Sequence, residues 1–168
     1  MTLALGILAL VVLQRGAEII YASRNARALA ARGGIEHARA HYPVIVLLHV
    51  SWLIAIAAGI LRAPQVRWLP LVIFGVLQVF RLWVLLTLGP YWTTRIVTIP
   101  GEPLVRRGPY RFVRHPNYLV VTGEMAVLPL VFGQVGNAVI FSILNLAVLA
   151  WRIRRENEVL EPRRRLTH

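Results

Sequence analysis

The chain contains no cysteine, no lysine and no aspartate. Without cysteine there can be no disulfide, no thiolate metal ligand and no thiol nucleophile. Charge is scarce and one-sided. Only 15% of the 168 residues are charged, and 19 arginines against seven glutamates give a formal charge of +12. Hydrophobic residues make up 57%, and the mean hydropathy is +0.62. An ordinary soluble domain is about a quarter charged, so this composition excludes a soluble or disordered chain and points to a bilayer.

What is present comes in blocks. A spanning helix needs about 20 mostly apolar residues, and four stretches fit: Thr2 to Ala22, Pro43 to Leu61, Trp68 to Leu88 and Val135 to Trp151. A fifth, Tyr118 to Phe132, is short, and Pro129 near its end predicts a break or kink. The expectation is an all-α integral membrane bundle of about five transmembrane helices. It should form one domain over 1–168, with three spans in 1–88 and the remaining machinery in 89–160. No arginine precedes Arg15 and no small-residue cleavage site follows the first apolar run, so that helix is expected to stay rather than leave as a signal peptide.

The arginines sort to one side. Arg24, Arg27, Arg32 and Arg39 lie in the first connection, and Arg95, Arg106, Arg107, Arg111 and Arg114 lie in residues 89–117. Six more follow from Arg152 onward, whereas only Arg62 and Arg67 lie opposite. The positive-inside rule then predicts an N-terminus outside, a C-terminus in the cytoplasm and a location in the inner (plasma) membrane. Cations gathered between apolar blocks, rather than spread over a folded face, argue against a nucleic-acid partner.

Residues 89–117 are too long for an idle connection. Within them and into the next span, Gly101 to Tyr118 reads GEPLVRRGPYRFVRHPNY. Pro103, Pro109 and Pro116 disfavour a continuous helix and leave backbone amides for other partners. Cationic donors, an imidazole and aromatic faces suit a polar, anionic or purine-containing cofactor. They equally suit a basic loop resting on lipid phosphates, with Tyr110 and Tyr118 as interfacial anchors. A second cluster, WRIRRENEVL from Trp151, sets Arg152 and Glu156, and Arg154 and Glu158, four apart on one helix face. These are either surface ion pairs or a cation and a carboxylate at a cytoplasmic mouth. Arg15, Glu18 and Gln14 in the first span, and Gln78 and Arg81 in the third, must face the bundle interior, as packing or as ligand groups. His41, Tyr42 and His49 have no second ligand at metal spacing, so no metal is expected.

Together, Gly108-Pro109-Tyr110, Arg114-His115-Pro116-Asn117-Tyr118 and, one hairpin later, Arg152 and Glu156 resemble the isoprenylcysteine carboxyl methyltransferase family over about residues 89–160. Its members are integral membrane enzymes that move a methyl group from S-adenosylmethionine to a lipid-attached acceptor. The resemblance implies that Leu104, Val105, Tyr110, His115, Pro116, Asn117, Tyr118 and Glu156 surround S-adenosylmethionine, with Arg152 as the catalytic residue at the acceptor. Arg81 and Arg95 are expected to help bind that acceptor. Two positions depart from the family pattern: Glu102-Pro103 replaces a more polar pair, and Asn157 stands where many members have a second glutamate.

Arg15-x-x-Glu18, His49 and Tyr91 to Arg95 are similar to a bacterial branch associated with type III polyketide synthases. That likeness implies O-methylation of a lipophilic small molecule, either a prenylcysteine-like carboxylate or the hydroxyl of an alkylpyrone or phenolic lipid. Two alternatives remain from sequence. One is an NADPH-dependent membrane reductase of the sterol-reductase type, which carries a similar RHPxY string. The other is a small membrane protein without catalysis.

Overall fold

A computed structural model describes residues 1–37 and 41–164. Arg39 and Arg165 lie outside the described residues, as do the side chains of His41, Arg163 and Arg164. Five α-helices form the body: α1 (Thr2–Ala31), α2 (His41–Arg62), α3 (Trp68–Leu88), α4 (Pro116–Val131) and α5 (Val135–Arg164). Four of them are long and apolar enough to cross a membrane, and α4 is the shorter apolar helix. The chain is an all-α membrane bundle, as its hydropathy predicts.

Local chemistry explains the helix ends. Pro43, Pro70 and Pro116 each sit in a first turn, where the missing amide has no helical partner to lose. Helices α1 and α4 stop alike, at Gly33 and Gly133 with φ of 83° and 70°. In each case the amide of the next residue returns to the helix, Gly34 to Leu29 O and Gln134 to Pro129 O, both at 2.9 Å. This Schellman-type closure favours glycine at the left-handed position. Pro129 falls in the last turn of α4, so the helix ends shortly after it.

The bundle buries Leu8, Val11, Trp52, Ile56, Phe74, Met125, Leu128 and Phe132 in one core. Leu10, Leu13, Val79, Leu86 and Ile143 remain exposed on the outside, the side a bilayer solvates. At one end, the short α2–α3 and α4–α5 turns meet, with the Arg67 amide donating to Val131 O at 2.7 Å. At the other, α1 and α5 run well past Ala22 and Trp151, the limits expected from hydropathy, because arginine-rich sequence can stay helical beyond the apolar zone.

A feature absent from the sequence reading joins the two connections at this second end. Strands β1 (Ile35–His37) and β2 (Ile96–Thr98) pair antiparallel, with Ile35 opposite Thr98 and His37 opposite Ile96. Asn25 of α1 donates to Gly89 O at 3.0 Å and Trp92 O at 2.8 Å. The long 89–117 segment is thereby folded back over the helix ends.

Candidate active site

Where that segment meets α4 and α5 it encloses a cavity of about 410 Å³. Two one-turn helices shape the segment, Gly89–Tyr91 and Gly108–Arg111. Gly108 has φ 56° and rests directly on the Thr87 side chain, so any Cβ there would collide with it. Glycine at that position lets the Gly108–Arg111 turn sit against α3, and Arg107 Nε adds a bond to Thr87 O at 3.3 Å.

Most of the residues singled out from sequence meet at this cavity. Leu104, Val105, Tyr110, His115, Asn117 and Tyr118 line it from the segment and the start of α4, Arg95 from the end of the ribbon, and Arg152 and Glu156 from α5. Helix α5 carries the last two on one face because they are four residues apart. Arg152 is buried, with Nε donating to the Tyr118 hydroxyl at 2.7 Å and Nη2 to Thr94 O at 2.8 Å. Among the described residues Nη1 makes no hydrogen bond. The Tyr118 hydroxyl in turn donates to Glu156 Oε2.

His115 stacks on the Tyr118 ring with centroids 5.3 Å apart. Its Nε2 lies 3.1 Å from Asn157 Oδ1 and its Nδ1 3.9 Å from Glu156 Oε1. Asn157 thus fixes the imidazole at the position where a second glutamate was expected. Burial pushes the Tyr110 phenol well above its ordinary pKa, with the Glu156 carboxylate adding to the effect, so it is a hydroxyl donor at neutral pH.

On two residues that line the cavity, Asn117 Oδ1 and Trp92 Nε1 are buried and have no hydrogen-bond partner among the described residues. A buried unsatisfied acceptor or donor costs about 1–3 kcal/mol, and a bound ligand with complementary groups removes that cost.

Two expected site residues lie elsewhere. Pro116 does not line the cavity; it is the buried first residue of α4, flanked by His115 and Asn117, which do. Arg81, expected at the acceptor, is buried in the middle of α3 in an ionic network. Its Nε donates to Glu124 Oε1 at 2.7 Å, its Nη2 to Glu124 Oε2, and its Nη1 to Glu18 Oε2 at 3.0 Å. Arg15 bridges the same carboxylates, at 2.7 Å to Glu18 and 2.9 Å to Glu124. Gln14 and Gln78 complete the network, with Gln14 Nε2 donating to Gln78 Oε1 and Gln78 Nε2 to Glu124 Oε1, both at 2.8 Å. In hydrocarbon a guanidinium takes the nearest carboxylates, and here they come from α1 and α4.

Glu124 was missed from sequence, although it was discoverable as an acid inside an apolar run. Trp92 and Thr94 lay within the Tyr91 to Arg95 stretch singled out by its likeness, but without a role for either; Thr94 acts through its backbone carbonyl. The apolar wall of Leu29, Leu88, Ile96, Ile99 and Leu160 has no motif either.

The fold and the site define a class: a multi-pass helical membrane protein with a cofactor-sized cavity at one end, walled by a proline-rich segment and the last helix. The chain belongs to the isoprenylcysteine carboxyl methyltransferase family, whose model matches residues 68–162, and is by that membership a membrane methyltransferase. It is 37% identical over 160 residues to the uncharacterized protein YpbQ of Bacillus subtilis, covering 92% of this chain and 95% of that one. An uncharacterized protein of Haemophilus influenzae is 26% identical over 147 residues, covering 82% and 83%. No solved structure matches.

Proposed function

We propose that the protein is an S-adenosylmethionine-dependent O-methyltransferase of the inner (plasma) membrane, working at the cytoplasmic face on a lipophilic acceptor. The observation that carries this reading is the shared cavity: two sequence-distant groups, His115, Asn117 and Tyr118 on one side and Arg152 and Glu156 on the other, line one cavity of about 410 Å³, within the range of small-molecule sites. The residues fit the cofactor. Asn117 Oδ1 is an orphaned acceptor suited to an amine, Glu156 offers a carboxylate to a cationic group or ribose, and Leu104 and Val105 give apolar backing. When bound, S-adenosylmethionine supplies an electrophilic methyl group.

The chain's own task is alignment and charge. Arg152 is held by Tyr118 and Thr94 so that Nη1 remains to receive an acceptor oxyanion, which the planar guanidinium fork suits. Arg95 and Arg114 add positive charge at the cavity against Glu156, which favours an acceptor that enters as an anion. A prenylcysteine-like carboxylate or an acidic alkylpyrone enol meets that condition. A phenolic lipid, with a pKa near the tyrosine value of about 10, would rely on Arg152 to lower it. The cofactor enters from the cytosol and the acceptor's tail from the bilayer.

The test is calorimetric titration of the detergent-purified protein with S-adenosylhomocysteine and, separately, NADPH. Saturable binding of S-adenosylhomocysteine, lost in Glu156→Ala and His115→Ala, is the expected result. Binding of NADPH alone would make the protein a reductase. Binding of neither by folded protein would overturn the catalytic reading.

A further inference from the structure

Tyr110 and Tyr118, which on the lipid-resting alternative would anchor the 89–117 segment in the interface, line the cavity instead, as the cofactor reading expects. The apolar side chains that face outward are Phe112, 75% exposed, and Val113, 42% exposed. They sit between Arg111 and Arg114, both also exposed, and the Arg111 guanidinium lies 5.8 Å from the centre of the Phe112 ring. The turn that presents them is stiff. Pro109 is buried, and its carbonyl accepts the amides of both Phe112 and Val113 at 3.1 Å.

The depth of this turn follows from helix lengths. With 21 residues α3 is about 31 Å long, and with 16 residues α4 is about 24 Å long. The two are level at the far end, where the Arg67 amide meets Val131 O. Helix α4 therefore begins about 7 Å, a little over one turn, short of the other end of α3. Residues 111–114, just before α4, lie beside the last turns of α3, where Trp83 and Leu86 face outward. For a hydrocarbon layer of about 30 Å, which the length of α3 matches, that level lies within about 7 Å of the boundary between acyl chains and headgroups.

We propose that Arg111–Phe112–Val113 is a docking wedge for anionic phospholipid in the surrounding leaflet. Phe112 and Val113 enter the acyl boundary and Arg111 takes the phosphate, while Arg114 lines the cavity. Charge decides the partner. Guanidinium forks pair with phosphate oxygens in bidentate fashion, and a zwitterionic headgroup carries its own ammonium to compete, whereas phosphatidylglycerol carries none. Docking stands independently of the methyltransferase reading. Its consequence rests on that reading: the same turn holds Tyr110 against the cavity, so the leaflet buttresses the cofactor wall.

The absence of cysteine makes Phe112→Cys a unique attachment point for a nitroxide label. In the full-length protein reconstituted in vesicles containing phosphatidylglycerol, the label should be more accessible to oxygen than to a water-soluble nickel chelate. The same label at Glu158→Cys, on the exposed face of α5, should show the reverse. Adding Arg111→Gln should raise the phosphatidylglycerol fraction needed for half of the accessibility change by about fivefold, the value of one basic residue at an anionic surface. If Phe112→Cys fails to fold, Val113→Cys carries the same measurement. Equal chelate access at 112 and 158 would overturn the wedge. Equal insertion in pure phosphatidylcholine would overturn the anionic partner. Neither outcome depends on whether S-adenosylhomocysteine binds.

Discussion

Two polar clusters sit in this bundle, and they differ in what they leave undone. In the network of Arg15, Glu18, Arg81 and Glu124, two cations meet two anions and nearly every donor is used; Arg15 Nε is the exception. In the cavity cluster, Arg152, Tyr118, Glu156, His115 and Asn157 form a chain of bonds, yet Arg152 Nη1 and Asn117 Oδ1 find no partner among the described residues. The first joins three helices where the surroundings offer no water. The second faces a cavity and holds capacity in reserve. Closure marks a structural cluster, and unspent capacity marks one made to receive a ligand.

The comparison is broken most severely at Glu124. Glu124→Ala leaves two guanidinium groups in apolar surroundings, and removing one partner of a buried pair costs about 3–5 kcal/mol. The expected result is loss of most folded protein, seen by thermal unfolding in detergent, with much of it restored when Arg81→Met and Glu124→Leu are combined. At the cavity the outcome should separate function from stability. Arg152→Lys keeps the charge but loses the fork, so methyl transfer to a lipid acceptor should fall about 10²- to 10³-fold, with the unfolding midpoint and S-adenosylhomocysteine affinity nearly unchanged. Glu156→Ala removes a charged hydrogen-bond acceptor worth about 1.5–3 kcal/mol. Calorimetry should show S-adenosylhomocysteine affinity lowered by one to two orders of magnitude, while circular dichroism keeps its helical signature. The smallest effect is expected at the Arg95–Glu36 pair, 3.1 Å apart and largely exposed on the arginine side. Arg95→Gln should shift stability by less than about 1 kcal/mol, and a raised KM for acceptor at unchanged kcat would mark its role at the cavity.

Much of the site was legible because its motifs are local. Prolines at 103, 109 and 116 announce a segment that is not one continuous helix, and Arg152 and Glu156 announce a shared face. The 81 position was harder. Arg81 reads as a polar group in need of a partner, but the choice between a substrate and Glu124 depends on how α3 packs against α4. The two tyrosines posed the same difficulty. Tyr110 and Phe112 are two residues apart in a turn, and hydropathy cannot say which faces the lipid.

The membrane class, the helical runs, the proline starts of α2, α3 and α4, the glycine stops of α1 and α4, and the residues fit for chemistry were written in the order of residues. Those properties depend on neighbours along the chain, through hydrophobic transfer, backbone hydrogen bonding and steric limits on φ. Folding in three dimensions was needed to pair β1 with β2, to hold Arg152 between Thr94 and Tyr118, to spend Arg81 on carboxylates, and to turn Phe112 rather than Tyr110 outward. Each of these joins groups far apart in sequence or chooses between two faces of one turn, and is settled by packing across helices.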